Sequence, residues 1–257
     1  MSFVNMFGCA ALCGASLFAG ANAGAAGAID GQLTAAQVLE ATDRSRGGGL
    51  PGVVWDLKIT AIDPDANENV RRMRVKADGD ASMAETFYPA RSAGGRLLQL
   101  GRNMWYGRPD IQKPVSISSR QKMMGPAANG DIASTNYVKE YDPALMADSE
   151  IDGEPVYVLN LVAKNKWVTY DRIVYYVSRA RLVPVKADFY TVSGKVFKSA
   201  VFETNNTLVS NGRAQPFISK MVIRDAVVDG NVSTLEYSEV RIQKIARDEL
   251  TTASLTR

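Results

Sequence analysis

From Pro51 onward the chain repeats an apolar–polar alternation with a period of two residues. Trp55, Leu57, Ile59 and Ala61 alternate with Asp56, Lys58 and Thr60. That spacing puts one set of side chains on each face of a half-buried β-strand. Met73, Val75 and Ala77 repeat the rhythm against Arg72, Arg74 and Lys76 after the loop at 63–69. Asp78-Gly79-Asp80 is a hairpin signal, and Met83, Glu85 and Phe87 then alternate with Ala84, Thr86 and Tyr88. The pattern returns at 156–163, 172–177, 182–190, 195–203, 207–210, 218–224 and 232–242. Turn signals at Lys164-Asn165-Lys166, Val192-Ser193-Gly194, Asn211-Gly212 and Asp229-Gly230 separate these runs. About ten strands joined by short turns predict a mainly β antiparallel meander.

Two segments depart from this rhythm. Thr34-Ala35-Ala36-Gln37 is a capping box that predicts a helix from residue 34 to about 46, stopped by Gly47-Gly48-Gly49. Val38, Leu39 and Thr42 give it a mostly apolar side, so it is a candidate plug for an open barrel. Between 120 and 141 the strand period fails. Helical turns are expected around 121–124 and 132–137; a movable lid would belong there, since irregular segments commonly carry function, and an ordinary long connection is the plainer reading.

The segment 98–125 is rich in methionine and aromatic residues and contains no recognisable catalytic set. Leu98 and Leu100 lead into the turn Gly101-Arg102-Asn103, and Met104-Trp105-Tyr106 starts back. Pro109 and Pro114 bracket the next bend, and Met123-Met124 closes the segment. Methionine pairs and large rings suit a surface that fits irregular apolar shapes; ordinary core packing is the plainer reading for each residue taken alone. The predicted apolar wall is Trp55, Leu57, Ile59, Met73, Val75, Phe87, Leu98, Leu100, Met104, Trp105, Tyr106, Met123 and Met124. Arg71 falls on the apolar side of its strand. It is read either as a strand-end residue reaching solvent or as an anchor for a ligand head group.

Several classes of chemistry lack their residues. The chain has no histidine, which removes Ser-His-Asp and Cys-His arrangements and the usual zinc and iron sites. Its cysteines, Cys9 and Cys13, lie inside an apolar run at 6–21 that ends in the A-x-A site Ala21-Asn22-Ala23. Residues 1–23 therefore read as a secretory signal peptide and 24–32 as a flexible mature start. Leu12 before Cys13 and Phe7 before Gly8-Cys9 do not make a lipobox, so a soluble exported protein is expected. After cleavage near Ala23 no thiol remains for a disulfide, a nucleophile or a metal. A formal charge of +3 is too small for a nucleic-acid groove. Asp131, Glu140, Asp142, Glu150, Asp152 and Glu154 cluster in sequence, but their spacing matches no calcium loop or glycosidase pair. No enzyme, cofactor or metal is expected. Residues 246–257 are mostly polar and are expected to fray.

A set of short motifs carries a family resemblance. Pro89-Ala90-Arg91, Gly94-Gly95, Leu98, Leu100, Met104-Trp105-Tyr106-Gly107-Arg108-Pro109 and Met123-Met124-Gly125 resemble the signature of outer-membrane lipoprotein-sorting proteins. These form the LolA-like family often associated with export permeases. Asn129-Gly130-Asp131, Tyr170-Asp171-Arg172-Ile173, Pro184-Val185-Lys186-Ala187 and 193–198 continue the likeness, which spans about 33 to 245. Alternation alone leaves open whether the sheet closes into a filled barrel or stays open around a cavity. The resemblance implies the second: a single antiparallel, strongly curved half-open β-barrel over 33–257, with an N-terminal helix and a short helical lid. It also implies a periplasmic carrier of lipoprotein acyl chains or another envelope lipid. Such a carrier would act as a monomer with an inner-membrane transporter partner and peripheral membrane contact. The alternative is a lipid- or lipoprotein-sensing regulator acting through a membrane partner. Acyl burial at about 0.8 kcal/mol per methylene gives roughly 8 kcal/mol for ten methylenes, with no catalytic group needed.

Overall fold

The computed structural model describes residues 33–133, 136–210 and 212–257. The expected signal peptide at 1–23, its two cysteines, the segment 24–32 and Asn211 of one turn lie outside the described residues. Leu33–Arg257 forms one compact unit.

Helix α1 (Ala35–Arg44) begins with the expected capping box: the Gln37 backbone N–H donates to Thr34 Oγ1 at 3.2 Å, and the Thr34 N–H donates to Gln37 Oε1 at 2.8 Å. The glycine run then carries the chain into β1 (Val53–Ile62), β2 (Glu68–Asp78) and β3 (Ala81–Tyr88). Gly79, at φ +63, makes the tight β2–β3 turn. Strands β4 (Arg96–Leu100), β5 (Asn103–Gly107) and β6 (Val115–Ile117) extend the sheet one way. A small hairpin of β7 (Lys122–Met124) and β8 (Ala127–Ala128) follows, then the short helices α2 (Asn129–Ala133) and α3 (Tyr137–Glu140). Strands β9 (Tyr141–Leu145), β10 (Ser149–Ile151), β11 (Glu154–Ala163), β12 (Arg172–Ser178), β13 (Pro184–Tyr190) and β14 (Val196–Glu203) return to the sheet. The hairpin β15 (Asn206–Ser210) and β16 (Arg213–Phe217) interrupts it before β17 (Lys220–Asp225) and β18 (Val232–Ile242).

Fourteen strands form one antiparallel sheet in the order β10-β11-β12-β13-β14-β17-β18-β1-β2-β3-β4-β5-β6, with β9 also paired to β11. Strand β1 sits at its middle, hydrogen-bonded to β2 and β18 along its length. No ladder joins the two edges among the described residues, so the sheet is not a closed barrel. Its ends nevertheless meet through side chains. Ser119 Oγ donates to Trp167 O at 2.9 Å, and Arg120 donates to Val168 O at 2.8 Å and to both carboxylate oxygens of Asp171 at 3.0 and 2.7 Å. The first pair of residues follows β6, and the second group lies in the β11–β12 connection.

Directly paired residues share a face. The concave face therefore carries Trp55, Leu57 and Ile59 of β1, Met73 and Val75 of β2, Leu97 of β4, Met104 of β5, Leu159 of β11, Tyr175 of β12 and Leu235 of β18. All belong to one buried core with Val38 and Leu39 of α1 and Tyr137 of α3. Among the described residues, no helix is long and apolar enough to cross a membrane.

Several expectations are corrected. Residues 122–124 form a strand rather than a helical turn, because Gly125 at φ +56 lets Met124 pair with Ala127 across a tight bend. The helical region expected at 132–137 appears as α2 and α3, one on each side of 134–135. Among the described residues there are eighteen strands instead of about ten; β6, β7, β8 and β10 among the extras have only two or three residues and so show no period. Residues 246–257 do not fray. Leu255 is fully buried with Leu98 and Met83 on the convex face, and Leu250, Leu100 and Trp105 pack beside them. Arg96 Nη1 donates to the carbonyls of Ser254 and Arg257 at 2.6 and 2.8 Å.

Candidate functional site

The residues expected to line one wall divide between two faces. Trp55, Leu57, Ile59, Met73, Val75 and Met104 are buried on the concave side; Tyr106 shares that side, and Met123 and Met124 pack against its core. Leu98, Leu100 and Trp105 point the other way, into the convex cluster under the C-terminal segment, and Phe87 is 47% exposed. A single wall including these four is therefore not formed. The cause is β4, where Leu97 and Leu98 are consecutive and both buried: Leu97 faces inward opposite Ala84, and Leu98 faces outward opposite Met83.

The middle of the concave face is occupied by the chain's own cover. Val38 and Leu39 of α1 and Tyr137 of α3 are buried against it. This cover contains charged groups that sequence reasoning missed. Asp43 and Arg46 are almost fully buried, and Asp43 Oδ2 accepts the Val138 N–H at 2.8 Å, which ties α1 to α3. The Arg46 guanidinium lies 4.6 Å from the Tyr137 ring centre and 5.9 Å from that of Phe202. Asp43 Oδ1 and Arg46 Nη1 have no hydrogen-bond partner among the described residues, and the Tyr175 hydroxyl is buried beside the Arg46 guanidinium. Buried polar atoms of this kind are rare and costly. Their signal was present in the spacing 38, 39, 42, 43, which places Asp43 on the apolar side of α1, with Arg46 in the turn just beyond the Ser45 cap.

Burial dominates the electrostatics here. It pushes the Asp43 carboxyl up to about 8, against the pull of the Val138 N–H and of Arg46. It raises Tyr137 to about 12 and moves Tyr175 and Tyr237 up as well, while the nearby Arg46 charge opposes each shift. Burial also disfavours the Arg46 cation, yet the surrounding tyrosines outweigh it and hold its pKa above the ordinary value.

A second set of bonds holds α2. Asp131 accepts the Tyr170 hydroxyl on both oxygens at 2.8 and 2.7 Å and the Ala128 N–H at 2.8 Å. Tyr170 stacks on Phe189 at 4.1 Å, and burial raises its hydroxyl pKa well above the usual range. Gly130 has no room for a side chain, since a Cβ there would lie 1.8 Å from Thr169 Oγ1. A cavity of about 320 Å³ opens between this segment and the sheet edge, with Ser82, Gln99, Met104, Ala133, Asn136 and Trp167 in its lining. A second cavity of about 320 Å³ contains Arg71, Arg91, Met123 and Met124. The structure thus places Arg71 on the concave side, half-buried, opposite Ile59.

These features define a class: a mainly β protein built on one wide antiparallel sheet, with an apolar inner face covered by its own short helices. Solved structures share the arrangement. A LolA superfamily protein from Nitrosomonas europaea is 31% identical, with a TM-score of 0.77 over 86% of this chain and 98% of the other. A domain described as an outer membrane lipoprotein-sorting protein, from Vibrio parahaemolyticus, is 19% identical, with a TM-score of 0.73 over 87% of this chain and 98% of that one. A DUF1329 family protein from Desulfovibrio piger is 18% identical, with a TM-score of 0.71 over 86% and 97%. The last two likenesses bear on the fold alone. A family model described as "Uncharacterized protein" matches residues 78–257. No curated protein matches the chain. The chain belongs to the LolA superfamily.

Proposed function

We propose that this protein is a periplasmic carrier for a hydrophobic ligand, which takes the place of α1 and α3 on the concave face of a half-open barrel. The ligand class is a lipoprotein acyl chain or another envelope lipid, and the protein acts without catalysis. The observation that carries this reading is the set of buried polar groups in the cover: the Arg46 cation, and the Asp43 carboxyl that burial pushes toward its neutral form. A permanent core would put apolar residues at Asp43 and Arg46, whereas here the contact between cover and sheet contains polar atoms left without partners. Such a contact is weaker than its area suggests.

The magnitudes allow exchange. Lifting Val38, Leu39 and Tyr137 off the sheet exposes three buried side chains, a cost of roughly 5–9 kcal/mol. An acyl chain of about sixteen methylenes recovers about 13 kcal/mol on burial. The same displacement returns Asp43 and Arg46 to water, where both are solvated. The family name borne by the relatives and the signal-peptide reading of 1–23 support the periplasmic setting.

The test is titration of delipidated protein with an apolar fluorescent probe, followed by hydrogen exchange. The expected result is saturable binding with loss of amide protection in α1 and α3, while β1 and β18 stay protected. Binding with unchanged protection in both helices, or no binding, sinks the exchange. Mass spectrometry of organic extracts from natively purified protein identifies the cargo.

A further inference from the structure

Two arginines at one end of the concave face, Arg71 and Arg91, line the same cavity. Several basic side chains near them have an acid: Arg74 meets Asp56 at 2.7 Å, Arg96 meets Glu85 at 3.0 Å and Arg108 meets Asp110 at 2.9 Å. Arg71 and Arg91 have no ion pair and no side-chain hydrogen bond among the described residues. They are brought together by the end of a ladder. Strand β3 pairs with β2 only as far as Tyr88 opposite Arg72, so no strand covers Arg71 on that side. The single turn Ala90–Ser92 takes its place and brings Arg91 to the same cavity of about 320 Å³. That volume lies at the lower end of small-ligand pockets.

The cavity is polar at the arginines and apolar at its floor. Asn69 and Asn231 line it with Met123 and Met124, and the two methionines also pack against the central core. The one acid in its lining, Asp63, is engaged by its own turn: its carboxylate accepts the Asn67 Nδ2 at 3.0 Å and the backbone N–H groups of Asp65 and Asn67 at 3.0 and 2.9 Å. Burial lowers the Arg71 pKa, Tyr106 counters, and the Arg91 charge lowers it further. Two guanidinium groups lining one cavity suit an oxyanion, which accepts charge-assisted hydrogen bonds from both.

The geometry points to an anionic amphiphile as the ligand, its phosphate or carboxylate oxyanion held between Arg71 and Arg91 and its first methylenes running along Met123 and Met124. This rests on the carrier reading above and adds the head-group class to it.

Calorimetric titration with lauroyl lysophosphatidate, monolauroylglycerol and inorganic phosphate tests it, because the two amphiphiles differ only in the phosphate. Lysophosphatidate is expected to bind about ten- to a hundredfold tighter than monolauroylglycerol. Arg71→Gln and Arg91→Gln each remove most of that difference and leave monolauroylglycerol binding unchanged; Arg71→Lys keeps part of it. Arg91 lies exposed on a surface turn, so its variant folds even where Arg71→Gln does not. Arg72→Gln, on the opposite face, is the charge control and has no effect. Equal affinity for the two amphiphiles, insensitive to both glutamine variants, overturns the head-group assignment and leaves the carrier standing. Binding of neither amphiphile overturns the carrier reading itself. Inorganic phosphate binding as tightly as lysophosphatidate overturns the lipid as its source and leaves a free-anion site.

Discussion

The two faces of β4 and β5 bury the same kinds of side chain beneath covers of different construction. On the convex face Leu98 and Met83 lie under Leu255, with Trp105 and Leu100 beside them. The covering segment is fastened at its rim, where Arg96 donates to two carbonyls and Lys76 pairs with Glu249. Its backbone lies so close that a Cβ on Gly107 would stand 2.7 Å from Leu255 Cβ. On the concave face Leu97 and Met104 share a core with α1 and α3, whose charged groups are buried and incompletely bonded. The difference teaches that apolar burial alone does not mark a binding face. What separates the two covers is where their polar groups end up: matched at the edge, or sealed inside.

Substitutions of equal size on the two sides test this most directly. Leu39 and Leu255 are both fully buried, and replacing either with Ala is expected to cost about 2–5 kcal/mol in chemical denaturation. Only Leu39→Ala is expected to raise affinity for an apolar fluorescent probe. An equal gain in Leu255→Ala would erase the distinction between the covers.

The pH dependence of the buried acid sharpens it. The Asp43 carboxyl is raised in the folded state from 3.8 to about 8, so folding takes up a proton within that window. Its contribution to stability is complete below the lower value and is lost as pH rises through the upper one. Asp43→Asn behaves as a permanently protonated carboxyl. The variant is therefore expected to gain on the wild type between pH 4 and 8, by at most about 1.4 kcal/mol per pH unit. Urea midpoints that run parallel across this range would show that the carboxyl is not shifted.

Gly107→Val is expected to cost about 1–3 kcal/mol by lifting the C-terminal segment. Limited proteolysis should then cut 246–257 faster, with probe binding unaltered. The smallest effect belongs to the cap of α1. Thr34→Ala is expected to cost about 1 kcal/mol and to speed hydrogen exchange in α1 alone; exchange rising equally in β1 would mean that helix and sheet open together.

Much of this architecture was readable in advance, and the misses have physical causes. The first two strands could be placed because one face of each is apolar and the other charged, as in Leu57 against Lys58 and Met73 against Arg74. The capping box of α1 is local chemistry and appears where the sequence put it. In β4 both faces are buried, so alternation could not tell Leu97 from Leu98, and the wrong leucine was assigned to the interior. The C-terminal segment was missed because two leucines among polar residues show no period, although they suffice to dock it. Asp43 and Arg46 were overlooked because charge on a helix is ordinarily solvated. Arg71 was singled out by its position in the strand, but Arg91 could not be, since only the end of the β2–β3 ladder brings it near.

The junction at Arg120 has one more implication. In a closed barrel, strand number and stagger fix the girth. Here the segment after β6 meets the β11–β12 connection through a hydroxyl, a guanidinium and a carboxylate, not through a ladder. These groups join the segment after β6 to the β11–β12 connection without any backbone pairing, beside the Ser82–Ala133 and Lys139–Asp80 contacts. The gap between these two segments is thus bridged by side chains, and Arg120→Ala is expected to speed hydrogen exchange at 164–171 while leaving every strand pair intact; exchange rising equally across β11 and β12 would mean the clasp also holds the ladder.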